Sequence, residues 1–184
     1  MNYTWMPATG ADVQDIVNMA EANFQSEIDN IFTPEPIAYA RNVMLSVVSQ
    51  FYLPTTEFLY IARENETNKL LCYTWAKSRD YAAWSDDQMV AIRMVHLDLN
   101  LSPRLRVKLI VEMMDMWEQF AWAAGAPIIC SNTMRHDQSG FLKLHTRMGY
   151  DVRGSYAYKR LNTTQATPAN SLSPDLKDAK ASGS

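Results

Sequence analysis

The spacing of apolar residues along this chain changes period several times, and each change marks an element. Residues 3–6 read as a short strand. A turn over residues 7–12 offers Thr9 or Asp12 as a helix N-cap. Val13, Ile16, Val17, Met19, Ala20 and Phe24 then recur at helical intervals. Thr33-Pro34-Glu35-Pro36 ends that helix and opens another, since proline fits a first turn. Residues 37–51 stay apolar at near-helical intervals until Pro54. Residues 57–63 and 70–76 read as two strands of a hairpin, joined by the polar turn Asn65-Glu66-Thr67-Asn68. Residues 79–88 read as a loop carrying Tyr81 and Trp84.

Alternation over residues 89–101 predicts a long strand, with Val95, Leu97, Leu99 and Leu101 on one face and His96, Asp98 and Asn100 on the other. Residues 105–124 form the clearest helix. Leu109, Met113, Met116, Trp117, Phe120 and Ala124 make its apolar stripe, opposite Lys108, Glu112, Asp115, Glu118 and Gln119. Gly125 suits the position just past its end. Residues 128–131 read as a strand, 139–148 as a short helix stopped by Gly149, and 155–161 as a last strand. From Asn162 onward no aromatic remains and Thr, Ser, Ala, Pro and Asp dominate. Such a segment buries too little apolar surface to offset its ordering entropy, so residues 162–184 are expected to form a flexible tail behind a single domain over 1–161.

Composition narrows the function classes. The net charge of −3 argues against a nucleic-acid partner, which needs a basic surface. No apolar run approaches the ~20 residues that cross a bilayer, so no membrane association is expected. Met1-Asn2-Tyr3-Thr4-Trp5 lacks the basic and apolar regions of a signal peptide, which points to the cytoplasm. Cys72 and Cys130 lie in apolar strand-like runs and read as buried free thiols. No Cys or His pair has metal-ligand spacing, so no metal is expected.

The element order β-α-α-β-β-β-α-β-α-β, the strand end Leu99-Asn100-Leu101-Ser102-Pro103 and the Gly149-Tyr150 stop together resemble the GCN5-related N-acetyltransferase (GNAT) superfamily. The resemblance covers roughly residues 1–161. It implies an α/β fold with a mixed, mostly antiparallel central sheet, flanked by helices and splayed at its central strands. It also implies transfer of an acetyl or other acyl group from acyl-CoA to an amine on a small molecule or a protein. Backbone groups of Leu99 and Leu101 are then expected to hold the acyl arm of acetyl-CoA.

The family's diphosphate loop follows Arg/Gln-x-x-Gly-x-Gly/Ala. Helix-terminal amides aim at the phosphates, and glycine lets the backbone come close. This chain reads Arg104-Leu105-Arg106-Val107-Lys108-Leu109-Ile110. Arg106 fits the basic position and Lys108 adds a cation. Val107 and Leu109 stand near the glycine positions, where they would crowd the approach, and the loop is one residue short. Cofactor binding and a decayed cofactor site are both open on these residues.

Counted back from Gly149, the family's proton-donating tyrosine falls at His145. An imidazole suits proton transfer to a leaving thiolate near neutrality, but a lone histidine on an apolar helix face also suits plain packing. Gln138 replaces the asparagine that commonly precedes this helix, with Asn132 as the alternative. The strand positions that usually supply a general base are Val95, Leu97 and Leu99, so Asp98 and His96 are the titratable candidates, on the opposite face. Trp75, Tyr81, Trp84, Tyr156 and Tyr158 either wall an acceptor groove or pack.

A second, shorter resemblance is to small internal virion proteins of short-tailed bacteriophages. These have a GNAT-like helical half, no glycine loop, and a helix start like Lys108-Leu109-Ile110-Val111-Glu112. It implies a structural or binding protein of the virion rather than an enzyme, docking on other virion proteins through the C-terminal tail.

Overall fold

The structure, a computed structural model, describes residues 1–27, 32–135 and 138–154. The strand expected at 155–161 and the tail from 162 lie outside the described residues, as do Tyr156 and Tyr158.

The elements are β1 (Tyr3–Pro7), a 3-10 turn (Gly10–Asp12), α1 (Val13–Glu27), α2 (Pro36–Tyr52), β2 (Glu57–Glu64), β3 (Leu70–Tyr81), β4 (Gln88–Leu97), α3 (Pro103–Ala124), β5 (Ile128–Cys130) and α4 (Ser139–Arg147). The five strands form one sheet in the order β1-β2-β3-β4-β5. The first three pairings are antiparallel, and β4 with β5 is parallel. The mixed sheet flanked by helices is the architecture the sequence leads one to expect. Among the described residues no helix is long and apolar enough to cross a membrane.

Each face of the sheet carries its own apolar layer. Ile16 and Ala20 of α1 and Val43 of α2 pack on Leu59, Ile61 and Tyr73. On the other face Leu109, Met113, Trp117 and Phe120 of α3 pack on Phe58, Cys72, Ala76 and Val90, joined by Leu144 of α4. Trp117 is fully buried, and its indole N–H finds Thr74 Oγ1 at 2.8 Å, which satisfies the polar end of a large core side chain. Gly125 ends α3 at φ +68°, a backbone that a side chain would strain, and Ala126 N–H bonds Ala121 O at 2.9 Å across it.

The hairpin is longer than its sequence pattern. β3 runs on to Tyr81 and β4 begins at Gln88, so the expected loop shrinks to six residues. Arg79, at φ +60°, marks a bulge where Lys77 faces Ala91 but Asp80 faces Met89. A charge lies inside the α1 layer. Arg63, 8% exposed, donates to Asp12 Oδ1 and Asp15 Oδ2 at 2.7 Å and to Asn68 O at 2.7 Å. The amide and hydroxyl of Thr9 bond the other Asp12 oxygen at 2.8 and 2.7 Å.

Candidate active site

β4 meets β5 at only three positions: Met89 with Ile128, Val90 with Ile129 and Ala91 with Cys130. Beyond Ala91 the β5-side edge of β4 has no strand partner among the described residues. Just past that point β4 bulges. Trp75 faces Met94 and Ala76 faces Ile92, so Arg93 has no opposite residue. A bulge bends its strand and sharpens the local twist. The extra residue also resets the side-chain alternation. Val90 and Ile92 below it and Val95 and Leu97 above it all join the α3 layer, while Met94 joins the α1–α2 layer. The pairing therefore forks here, with the β4 edge open beyond Ala91, and residues 98–102 carry the chain from β4 to the start of α3.

The end of β4 differs from expectation. The strand stops at Leu97, four residues before Leu101. Asp98 N–H still reaches Leu71 O at 2.8 Å. Its carboxylate then accepts Asn100 N–H at 2.9 Å, and Leu101 N–H turns back to Asp98 O at 3.2 Å. An Asx turn therefore outcompetes the ladder. Leu99 stands at its tip, 44% exposed, and Leu101 folds into the α3 layer. Neither lies on a strand edge, and the open edge of β4 is that of residues 92–97.

The helix start differs too. α3 begins at Pro103, two residues before the sequence reading. Ser102 is its N-cap: its Oγ accepts Leu105 N–H and its carbonyl accepts Arg106 N–H at 3.0 Å. Proline contributes no N–H. Few backbone donors in this first turn remain for an anion. Val107 is half exposed. Leu109 is fully buried in the α3 layer, so it does not obstruct the helix start.

The cations separate as well. Lys108 Nζ lies 4.9 Å from the Tyr3 ring and 3.7 Å from Glu112, which also takes bonds from Tyr3 and Trp5, so this lysine belongs to the β1 side. Arg106 is about 200° around the helix from it, at ~100° per residue. Arg106 Nε is buried without a hydrogen-bond partner. An orphaned guanidinium nitrogen near a helix N-terminus suits a diphosphate, whereas exposed Arg104, four residues before Lys108, lies on the lysine's face.

His145 is 3% exposed, packed between the rings of Phe141 and Tyr150. Its Nδ1 lies 2.9 Å from Phe141 O and its Nε2 lies 3.0 Å from Ser131 Oγ. The carbonyl can only accept, so Nδ1 carries the proton and Nε2 accepts from the serine hydroxyl. Burial favours the neutral ring and pushes the imidazole pKa down, and it outweighs the Phe141 hydrogen bond, which acts upward. The contact places His145 beside the residue that directly follows β5. Gln138 is the exposed N-cap of α4 and makes no side-chain capping bond.

His96 and Asp98 face away from that pair. His96 is buried in the α1–α2 layer, with Nδ1 2.6 Å from Tyr73 OH, which is 2.7 Å from Tyr39 OH. Asp98 lines a cavity of about 510 Å³ between α1 and the strand ends, with Asp15, Asn18, Lys69 and Asn100. Burial would raise the Asp98 carboxyl, but Lys69 and Asn100 outweigh it and hold the group below the usual carboxylate range. Of the aromatics, Trp75 donates to buried Glu57 at 3.0 Å, whereas Tyr81 and Trp84 are exposed. Among the described residues no cluster of His, Cys, Asp or Glu could hold a metal ion. Sequence reasoning missed Ser131, Lys69 and the Arg93 bulge. Each depends on strand pairing or a contact far along the chain, for which no local pattern exists.

No family model matches the sequence, and no curated protein does. Solved structures do match. One is the aminoglycoside N-acetyltransferase AAC(6')-Iy in complex with CoA, with a TM-score of 0.65 and 10% identity, covering 87% of this chain and 95% of that one. A predicted acetyltransferase with acetyl-CoA from Clostridium acetobutylicum gives 0.64 and 13%, covering 88% and 97%. Glucosamine-6-phosphate N-acetyltransferase from Arabidopsis thaliana gives 0.62 and 8%, covering 88% and 100%. The chain therefore has the fold these acetyltransferases share, the fold that its strand end and element order resemble.

Proposed function

We propose that this protein transfers an acyl group, acetyl in the simplest case, from acyl-CoA to the amine of a small polar molecule. The observation that carries the reading is the fork: β4 bulges at Arg93 and parts from β5 beyond Ala91. A strand edge without a partner can accept and donate backbone hydrogen bonds to an extended acyl arm. Arg106 would hold the diphosphate, with the α3 dipole favouring its charge. Acyl-CoA supplies an activated thioester. Attack by the amine nitrogen forms the C–N bond as the C–S bond breaks; the amine loses a proton and the thiolate gains one.

The chain's own contribution is chiefly positioning, which alone supplies large rate factors. The cavity that holds Asp98, Asp15, Asn18 and Asn100 also holds Arg63 and Lys69, which pair with its two carboxylates, so it suits a polar acceptor rich in hydroxyls whose ammonium would compete with Lys69 for Asp98. Its place beside the end of β4, and the aminoglycoside and amino-sugar phosphate named for two of the matching enzymes, support that acceptor class. Asp98 serves to bind rather than to deprotonate, because a carboxylate held low is a weak base. His145, neutral and engaged with Ser131, acts as thiolate acid only after taking up a proton and releasing the serine.

A second reading, a binding protein on this fold such as a virion component, is favoured by one observation. Pro103 and the Ser102 cap leave the α3 start short of free amides. Calorimetry and a thermal-shift series with acetyl-CoA separate the two. For the transferase, stabilisation grows as RT ln(1 + [L]/Kd). No heat and no shift at millimolar acetyl-CoA would leave only the second reading.

A further inference from the structure

Helix α2 is apolar on two faces, and the fold uses only one of them. Val43 is fully buried against Leu59 and Ile61 of β2. On the opposite side Ile37 (86% exposed), Met44, Leu45, Val48, Phe51 (80%) and Tyr52 (73%) form a continuous stripe in water. Arg41 is the sole charged residue among the helix's seventeen. A surface helix ordinarily carries polar and charged residues on its outer face. The six side chains leave on the order of 800 Å² in water, more than the ~300–600 Å² of the largest apolar patch on an ordinary monomer.

The C-terminal end of the stripe runs into a groove of about 880 Å³. Phe51 and Tyr52 form one lip, and Phe58, Tyr60, Met116 and Phe120 lie within. Projecting rings and a hollow to receive rings therefore sit side by side on one surface. A two-fold interface demands that combination, since the same patch must serve as both halves.

We infer that the α2 stripe and this groove form a homodimer interface, with α2 of one copy lying antiparallel on α2 of the other. Three considerations favour a second copy as the occupant. The area equals the ~800 Å² that each partner contributes to a standard interface. Crossing between Leu45 and Val48 leaves the two Arg41 side chains about 16 Å apart along the axis, at ~1.5 Å rise per residue, beyond the ~8 Å screening length at physiological salt. Antiparallel helices also set opposite dipole ends together. The fork, the start of α3 and the Ser131–His145 pair all lie on other elements, so each copy keeps its own site.

The test is sedimentation of the full chain from about 1 to 100 µM, beside Leu45→Glu and Phe51→Glu. The wild-type chain should sediment at twice its chain mass. Each variant should sediment at one chain mass with an unchanged circular-dichroism spectrum. A wild-type monomer at 100 µM overturns the proposal, whether the stripe is then covered by residues 155–184 or by another protein. So does a dimer that both glutamates leave intact. If either variant loses its helical signal, Leu45→Cys with Val48→Cys in a Cys130→Ser background decides. Oxidation should join two chains covalently, and a chain that stays single sinks the inference.

Discussion

The Nε2 of His145 accepts a hydrogen bond from the Ser131 hydroxyl, 3.0 Å away, so the residue that follows β5 is tied to α4 through a neutral imidazole. This fixes a sign for the pH dependence of stability. The unfolded imidazole takes a proton below pH ~6.5. Burial holds the folded one lower. Between those two values the unfolded chain binds more protons, so stability rises with pH there and falls on acidification from about 6.5 downward. Replacing the ring by His145→Gln should flatten that segment of a urea-derived stability profile. A profile equally steep in the variant would show that other groups cause it.

If the Ser131–His145 pair also feeds a proton to the leaving group, Ser131→Ala should alter the pH–rate profile of acetyl transfer and leave acetyl-CoA affinity within about twofold. A change confined to affinity would place Ser131 in binding alone.

Arg106 and Lys108 should behave differently although only Val107 separates them. Removing a charge-assisted contact typically costs about 1.5–3 kcal/mol, so Arg106→Ala should weaken acetyl-CoA binding roughly ten- to a hundredfold. Lys108→Ala should change it by less than about threefold, because that lysine attends Tyr3 and Glu112. Calorimetric titration of both variants checks the contrast.

Leu109→Ala should destabilise the fold by about 2–5 kcal/mol, the cost of a fully buried large-to-small change. Val107→Gly, at a half-exposed position in a helix, should cost about 1 kcal/mol or less. Denaturant titration compares the two directly. Equal losses would mean that the two side chains share one environment.

Arg63 and Asp12 form the buried ion pair whose disruption should be most severe. Arg63→Met leaves Asp12 without its counter-charge, at about 3–5 kcal/mol. Asp15→Asn should cost much less, because Asp15 is about half exposed. Burial raises the Asp12 carboxyl, but the Thr9 and Arg63 hydrogen bonds prevail and hold it below the ordinary range. Its contribution is therefore complete above the unfolded value of ~3.9 and is lost as pH drops through the folded one. Chemical shifts of the Asp12 carboxyl across an acid titration test the direction.

Much of this fold was legible before any coordinates. Helix periodicity marked α1, α2, α3 and α4 because each buries a stripe, and Gly125 and Gly149 marked two ends where the backbone turns left-handed. Alternation above the bulge correctly paired Val95 with Leu97 and set His96 apart. It failed past Leu97 because Leu99 and Leu101 continue the period by chance while the Asp98 side chain captures the next amides. The helix start was misplaced because Pro103, read as a strand stop, is a first-turn residue capped by Ser102. The fork itself had no local signal, since it arises from which residues β5 pairs with. Leu109 looked like an obstacle to a phosphate only as long as its direction was unknown.

Arg93, like Val90, has no counterpart on β3, and its place in a bulge is what lets Ile92 and Val95 share one layer. Many side chains should be acceptable at position 93. Losing that one residue would put Ile92 and Met94 in direct succession on opposite faces, so the ladder would close without a bulge and His96 and Leu97 would keep their layers. Evolution can therefore drift in spelling at position 93, and even shed that residue, at little cost to the two layers above it.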